Sequence, residues 1–180
     1  MMMNGEIVDA TTTGEIRHND WFVLVDPAWN VTAAITPPTE LIVGGWMLND
    51  DGTTQPFRPN PRYRPSAETV PSDPIDAILR RIAAGERDLG EQLVARIHDA
   101  VVEIGCDGQR NPLVGTAPDG VDCIVVATAE IQKTGVDADR WVPVHGAELT
   151  DIIPTGTDIF LNPSGSAPFR LLSEARKHIS

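Results

Sequence analysis

The chain has 180 residues, the length of one domain, and 41% hydrophobic residues, enough to build a core and to exclude wholesale disorder. Only 5% of residues are aromatic, so Val, Ile, Leu and Ala must fill most of that core. The net charge of −12 argues against nucleic acid, whose binding rests on Lys and Arg, and against an anionic membrane surface. Taken in chain order, residues 1–19 are polar and aperiodic and read as a loose tail, with no basic start and no apolar stretch of a signal peptide. Trp21–Val25 reads as a strand stopped by Asp26-Pro27, and Leu41–Leu48 as a second strand ending in the turn Asn49-Asp50-Asp51-Gly52. Gly44 and Gly45 inside that strand mark a bulge or a close backbone approach. From Phe57 to Pro65 three prolines remove backbone donors, which predicts an extended segment lying over the surface.

Asp73-Pro74 opens a helix, with Asp73 as cap and Ile75, Ile78, Leu79 and Ile82 on one face up to Gly85. A second helix is expected from Asp88, with Glu91 completing a capping box and Leu89, Leu93 and Ile97 as the buried stripe. The short link predicts a helical hairpin. Val101–Ile104 and Val121–Thr128 follow as strands, the latter apolar on both faces and therefore central. A short strand at Trp141–Val144, a short helix at Ala147–Ile153 and a strand at Ile159–Leu161 come next. The last expected element is a helix over Ser166–Lys177, with Phe169, Leu172 and Ala175 facing inward and Arg176, Lys177 and His178 at its C-terminal end. The sum is an α+β (mixed α/β) fold: a central mixed β-sheet with a helical hairpin and a C-terminal helix packed on it, in a single domain over 20–180.

The residues offer little chemistry. The four histidines, His18, His98, His145 and His178, are scattered, and Cys106 and Cys123 form no metal or disulfide pattern, so neither a metal nor a cofactor is expected. Cys123 reads as a buried core thiol. Asn162-Pro163-Ser164-Gly165-Ser166 has the setting of a nucleophile elbow but not its residues, and Ser166 reads better as a helix cap. Because the last helix begins there, the loop of Asn162, Ser164, Gly165 and Ser166, with Arg170 one turn into the helix, is a candidate anion-binding site. The one cluster of positive charge is Arg58, Arg62 and Arg64, interleaved with Phe57 and Tyr63 and preceded by Trp46. Arginine beside aromatics suits a protein-binding surface; the alternative is that these arginines tie the segment to the chain's own carboxylates.

Three segments carry a resemblance. They are Asp20 through Trp29; Val43 through Trp46 with Phe57 through Pro65 and Asp73 through Ala77; and Ala117 through Val121 with Leu161-Asn162-Pro163. Together they resemble the actinobacterial type VII secretion system-associated proteins, over roughly residues 20–175 and in order. The last third, about residues 111–178, also resembles the SseB-type domain, except that the glycine expected after Asn162-Pro163 is delayed to Gly165. The resemblance implies a cytoplasmic accessory protein of type VII (ESX-like) secretion whose partner is a component of the machinery or a secreted substrate. It implies no catalytic residue, and no apolar run approaches the length of a membrane span, so no membrane insertion is expected. Two other functions are open: an immunity or chaperone-like partner of a secreted toxin, which the acidic composition fits, and an enzyme with an unrecognised site that uses the loop at Asn162 to Ser166 on a phosphorylated small molecule.

Overall fold

The computed structural model describes residues 15–18, 20–30 and 36–177. Two sheets share one core. The first is antiparallel, in the order β1 (Glu15–His18), β2 (Trp21–Val25), β3 (Ile42–Met47) and β4 (Arg58–Pro59). The tail expected over 1–19 is thus corrected at its end: Glu15–His18 pairs with β2, and the rest of that stretch lies outside the described residues. Following the first sheet come the hairpin helices α1 (Pro74–Ala83) and α2 (Gly90–His98).

The second sheet is mixed. It contains β5 (Val101–Cys106), β6 (Val114–Thr116), β7 (Asp122–Ala127), β8 (Arg140–His145), β9 (Asp158–Leu161) and β10 (Phe169–Leu171), in the order β10-β9-β7-β5-β8. Two short helices, α3 (Leu149–Ile152) and α4 (Ser173–Arg176), complete the described elements. β7 is central, as its apolar run requires. It is parallel to β9 on one edge, and β5 and β6 share the other. The fold is α+β with a central mixed sheet.

The alternation of β7 decides what covers each face. Ile124 and Val126, with Val102, Ile104, Ile159 and Leu161, face the helices, where they meet Ile75, Ile78, Leu79, Leu93 and Ile97. Cys123 and Phe160 face the other way onto Ala117. Leu93 and Ile97 are wholly buried, and burying each such side chain contributes about 1.5–3 kcal/mol. Asp73 caps α1 as expected, accepting from the N–H groups of Ile75 and Asp76 at 2.8 and 3.0 Å. The capping box expected at α2 does not form. Asp88 has φ of 63°, a left-handed conformation incompatible with an N-cap, and the helix begins at Gly90 behind Leu89.

The larger correction is at the C-terminus. The helix expected over Ser166–Lys177 is absent. Phe169–Leu171 instead pairs antiparallel with β9, and a four-residue helix follows it. Leu172, expected inside, is exposed. The open edge of β9 supplies the partner that local spacing cannot show. His178 lies outside the described residues.

The two sheets are joined by the proline-rich segment. The Phe57 N–H donates to the Asp99 carbonyl and its own carbonyl accepts from Val101 N–H, both at 2.7 Å. Arg58 and Pro59 then pair with Gly45 and Gly44 of β3. A Cβ on Gly44 would overlap the Arg58 carbonyl oxygen, which accounts for the glycine in mid-strand. The far end of the segment is fixed by Asp26, which is 1% exposed. Its carboxylate accepts from Tyr63 O–H at 2.8 Å, Ser66 Oγ at 2.6 Å, Ser66 N–H at 3.0 Å and Ala28 N–H at 2.8 Å.

Burial pushes the Asp26 carboxyl up, but the bonds from Ser66, Ala28 and Tyr63 outweigh it and hold it below the usual carboxylate range. A carboxyl lowered on folding adds stability above its unfolded pKa, near 4, and loses it as pH falls through the folded value. Asp26→Asn should therefore unfold at lower urea than the wild type at pH 7, and the gap should narrow as the pH is taken down through the acid range. A gap that stays constant with pH would show that the Asp26 charge is not what holds the segment.

Candidate functional site

The surface expected around the proline-rich segment divides into two kinds of residue. Phe57 and Tyr63 are 4% and 3% exposed and belong to the core. Trp46 is half-buried, its ring tilted on that of Phe57 with centroids 4.8 Å apart. These three aromatics hold the sheets together and do not form an outer face. Arg58, Arg62 and Arg64 are exposed. Arg64 donates to the carbonyls of Pro61 and Tyr63 at 3.0 and 2.7 Å. Among the described residues none of the three makes an ion pair with a carboxylate. The segment is tied down by Asn60, which donates to the carbonyls of Thr39 and Ile42 at 2.7 and 2.8 Å, and by Tyr63.

The candidate anion loop loses its premise, because no helix starts after it. Asn162 is wholly buried and fully used. Its Oδ1 accepts from Thr128 N–H at 2.9 Å, and its Nδ2 donates to Thr128 Oγ1 at 2.9 Å. Arg170, expected one turn into that helix, lies in β10 and pairs with Asp119 at 3.0 Å and Asp158 at 3.5 Å. Ser164 and Ser166 are exposed on the loop, and Gly165 closes it by donating to the Asn162 carbonyl.

Asn162 belongs to a buried polar cluster at the carboxyl ends of the parallel pair β7 and β9, a position that often binds ligands in α/β sheets. Here the groups bind one another, with Asp76 Oδ1 left buried without a hydrogen-bond partner. Thr128 Oγ1 and Ser72 Oγ donate to Asp73 at 2.7 and 2.8 Å, and Gln132 Nε2 donates to Ser72 Oγ at 2.8 Å. Asp76 accepts from Ser72 N–H and from Arg80 Nε, both at 2.9 Å. Burial, and after it the neighbouring Asp76 charge, push the Asp73 carboxyl up. A Cβ on Gly165 would overlap Gln132 Oε1, so the space is filled. Among the described residues no group of three or more His, Cys, Asp or Glu is placed to hold a metal ion. Cys106 and Cys123 are free and buried, and burial raises both thiols.

A large concavity lies elsewhere and follows from the C-terminal correction. Because Phe169–Leu171 is a strand, it leaves an apolar groove of about 950 Å³ between itself and α2. Ile82, Leu93, Val94, Phe169, Leu171 and Leu172 line it, with Ala175 at one end. Exposed Glu91 and Asp99, at the two ends of α2, lie on its margin, and Asp99 pairs with His98 at 2.6 Å. A smaller hollow of about 250 Å³ lies beside Arg58, where Lys133 is already held by Glu103 and Glu130 at 2.6 Å each. The sequence signal for the groove was present but misdirected. Phe169, Leu172 and Ala175 have helical spacing, and the strand pairing puts them along a channel instead.

No protein-family model, curated protein or solved structure matches this chain. No helix among the described residues is long and apolar enough to cross a membrane.

Proposed function

We propose that this chain is a non-catalytic accessory protein that acts by holding another protein in the groove between α2 and β10. One observation carries the reading: a chain of net charge −12 leaves Leu172 47% exposed beside half-buried Val94 and Phe169, in a channel of about 950 Å³. A concave channel lined mainly by apolar side chains is the usual form of a binding site. Asp26 and Asp73 support the same reading, since their carboxylates are engaged in holding the proline-rich segment and the start of α1. The resemblance of the Asp20–Trp29 and Phe57–Pro65 segments to type VII secretion-associated proteins makes a secretion component or substrate the partner of choice. The acidic balance also fits an immunity or chaperone-like role toward a basic secreted toxin, which co-expression with a neighbouring toxin gene distinguishes by rescue.

A photo-crosslinking side chain at Leu172, compared with one at Ile131, which is 38% exposed and away from the groove, tests the proposal in the native host. Position 172 should capture a secretion component or substrate that position 131 does not. No adduct at 172, or the same adducts at both positions, would contradict it.

A further inference from the structure

The groove has one wall of a different character from the other, and that difference specifies the partner. One wall is the side of α2, whose backbone is consumed by its own hydrogen bonds. The other is β10, the terminal strand of the mixed sheet, paired through Phe169↔Leu161, Arg170↔Phe160 and Leu171↔Ile159 and, among the described residues, on one side only. An unpaired strand edge offers a row of backbone donors and acceptors to a new strand. Phe169 and Leu171 belong to the helix-facing core, while Arg170 reaches the opposite face to Asp119 and Asp158. A chain laid along β10 would therefore place alternate side chains down onto Val94, Leu93 and Ile82.

Charge selects among possible occupants. Glu91 stands at the margin with Asp99, which is paired with His98, and Arg170 is already matched by two carboxylates. A second copy would bring another −12 to an acidic face. Resting on the reading of the groove as a protein-binding site, we infer that its occupant is an extended, basic segment of a partner protein, added as a strand to β10 with its alternate apolar residues in the groove.

The test uses the full chain and synthetic peptides of about eight residues, a usual strand length. One alternates Leu and Lys, a second alternates Leu and Glu, and a third repeats the first with N-methylated backbone amides on the bonding side. Anisotropy should show the Leu/Lys peptide binding at least about tenfold tighter than either of the others and weakening with salt. Hydrogen exchange should slow at the amides of residues 169–172. Glu91→Lys, an exposed change, should lower affinity for the Leu/Lys peptide while lowering the unfolding midpoint only slightly, because it sets a cation in the first turn of α2. Equal binding of the three peptides, protection elsewhere, or a salt-stable dimer that blocks the groove would overturn the inference. If the peptides fail while Leu172 still crosslinks a partner in the host, the binding mode is wrong and the groove stands. If both fail, the groove falls as well.

Discussion

Gly146→Ala is expected to lower stability by about 3 kcal/mol, the upper part of the usual range for overpacking. Gly146 follows β8, and its N–H donates to the Ala100 carbonyl at 2.8 Å where the chain passes over the last turn of α2. A Cβ there would overlap the Ile97 carbonyl oxygen and carbon. Those are backbone atoms of a helix, and Ile97 is wholly buried, so neither side can rotate away. Either β8 or the end of α2 must shift, and α2 is one wall of the groove. The denaturant midpoint should fall with the m-value unchanged. Gly90→Ala is the contrast: nothing lies within 4 Å of its added carbon, and it should change stability by less than about 1 kcal/mol. Similar midpoints for the two variants would show that α2 and β8 are not in fixed contact.

Asn162→Ala should cost nearly as much, through two separable causes. Asn162 has φ of 49°, so an alanine there carries left-handed strain of about 1 kcal/mol. It also leaves the buried Thr128 N–H without its acceptor, at about 1–3 kcal/mol. Asn162→Gly removes the strain but not the loss of the acceptor. The glycine variant should therefore fall between wild type and alanine in a urea titration. Were both variants as stable as wild type, the polar cluster would contribute nothing to joining β7 and β9. The delayed glycine at 165 makes sense in this light. Asn162 itself takes the turn's left-handed position, and Gly165 is needed where the loop meets Gln132.

What the residues disclosed and what they concealed follow one physical division. Elements specified by their own neighbours were readable: Asp73 capping α1, the Leu89-Leu93-Ile97 stripe, the turns at Gly52 and Gly120, and the central β7. Features that depend on distant partners were not. Phe57 and Tyr63 sit among prolines and arginines, which pointed to the surface, yet the bond from Tyr63 to Asp26 spans 37 residues and no local pattern encodes it. Phe169, Leu172 and Ala175 have the spacing of a helix face, and only the edge of β9 makes a strand of that stretch. The groove is hidden for the same reason, since its walls are a helix and a strand some seventy residues apart in sequence.

The account rests most heavily on the groove being the working surface, and Leu172→Asp measures that directly. Leu172 is exposed, so the change should leave the melting temperature within about 2 °C of wild type. In the native host, recovery of the crosslinked or co-purified partner should fall at least about tenfold, the loss expected from a charge placed in an apolar contact. Undiminished recovery of the same partner with an intact fold would contradict the account.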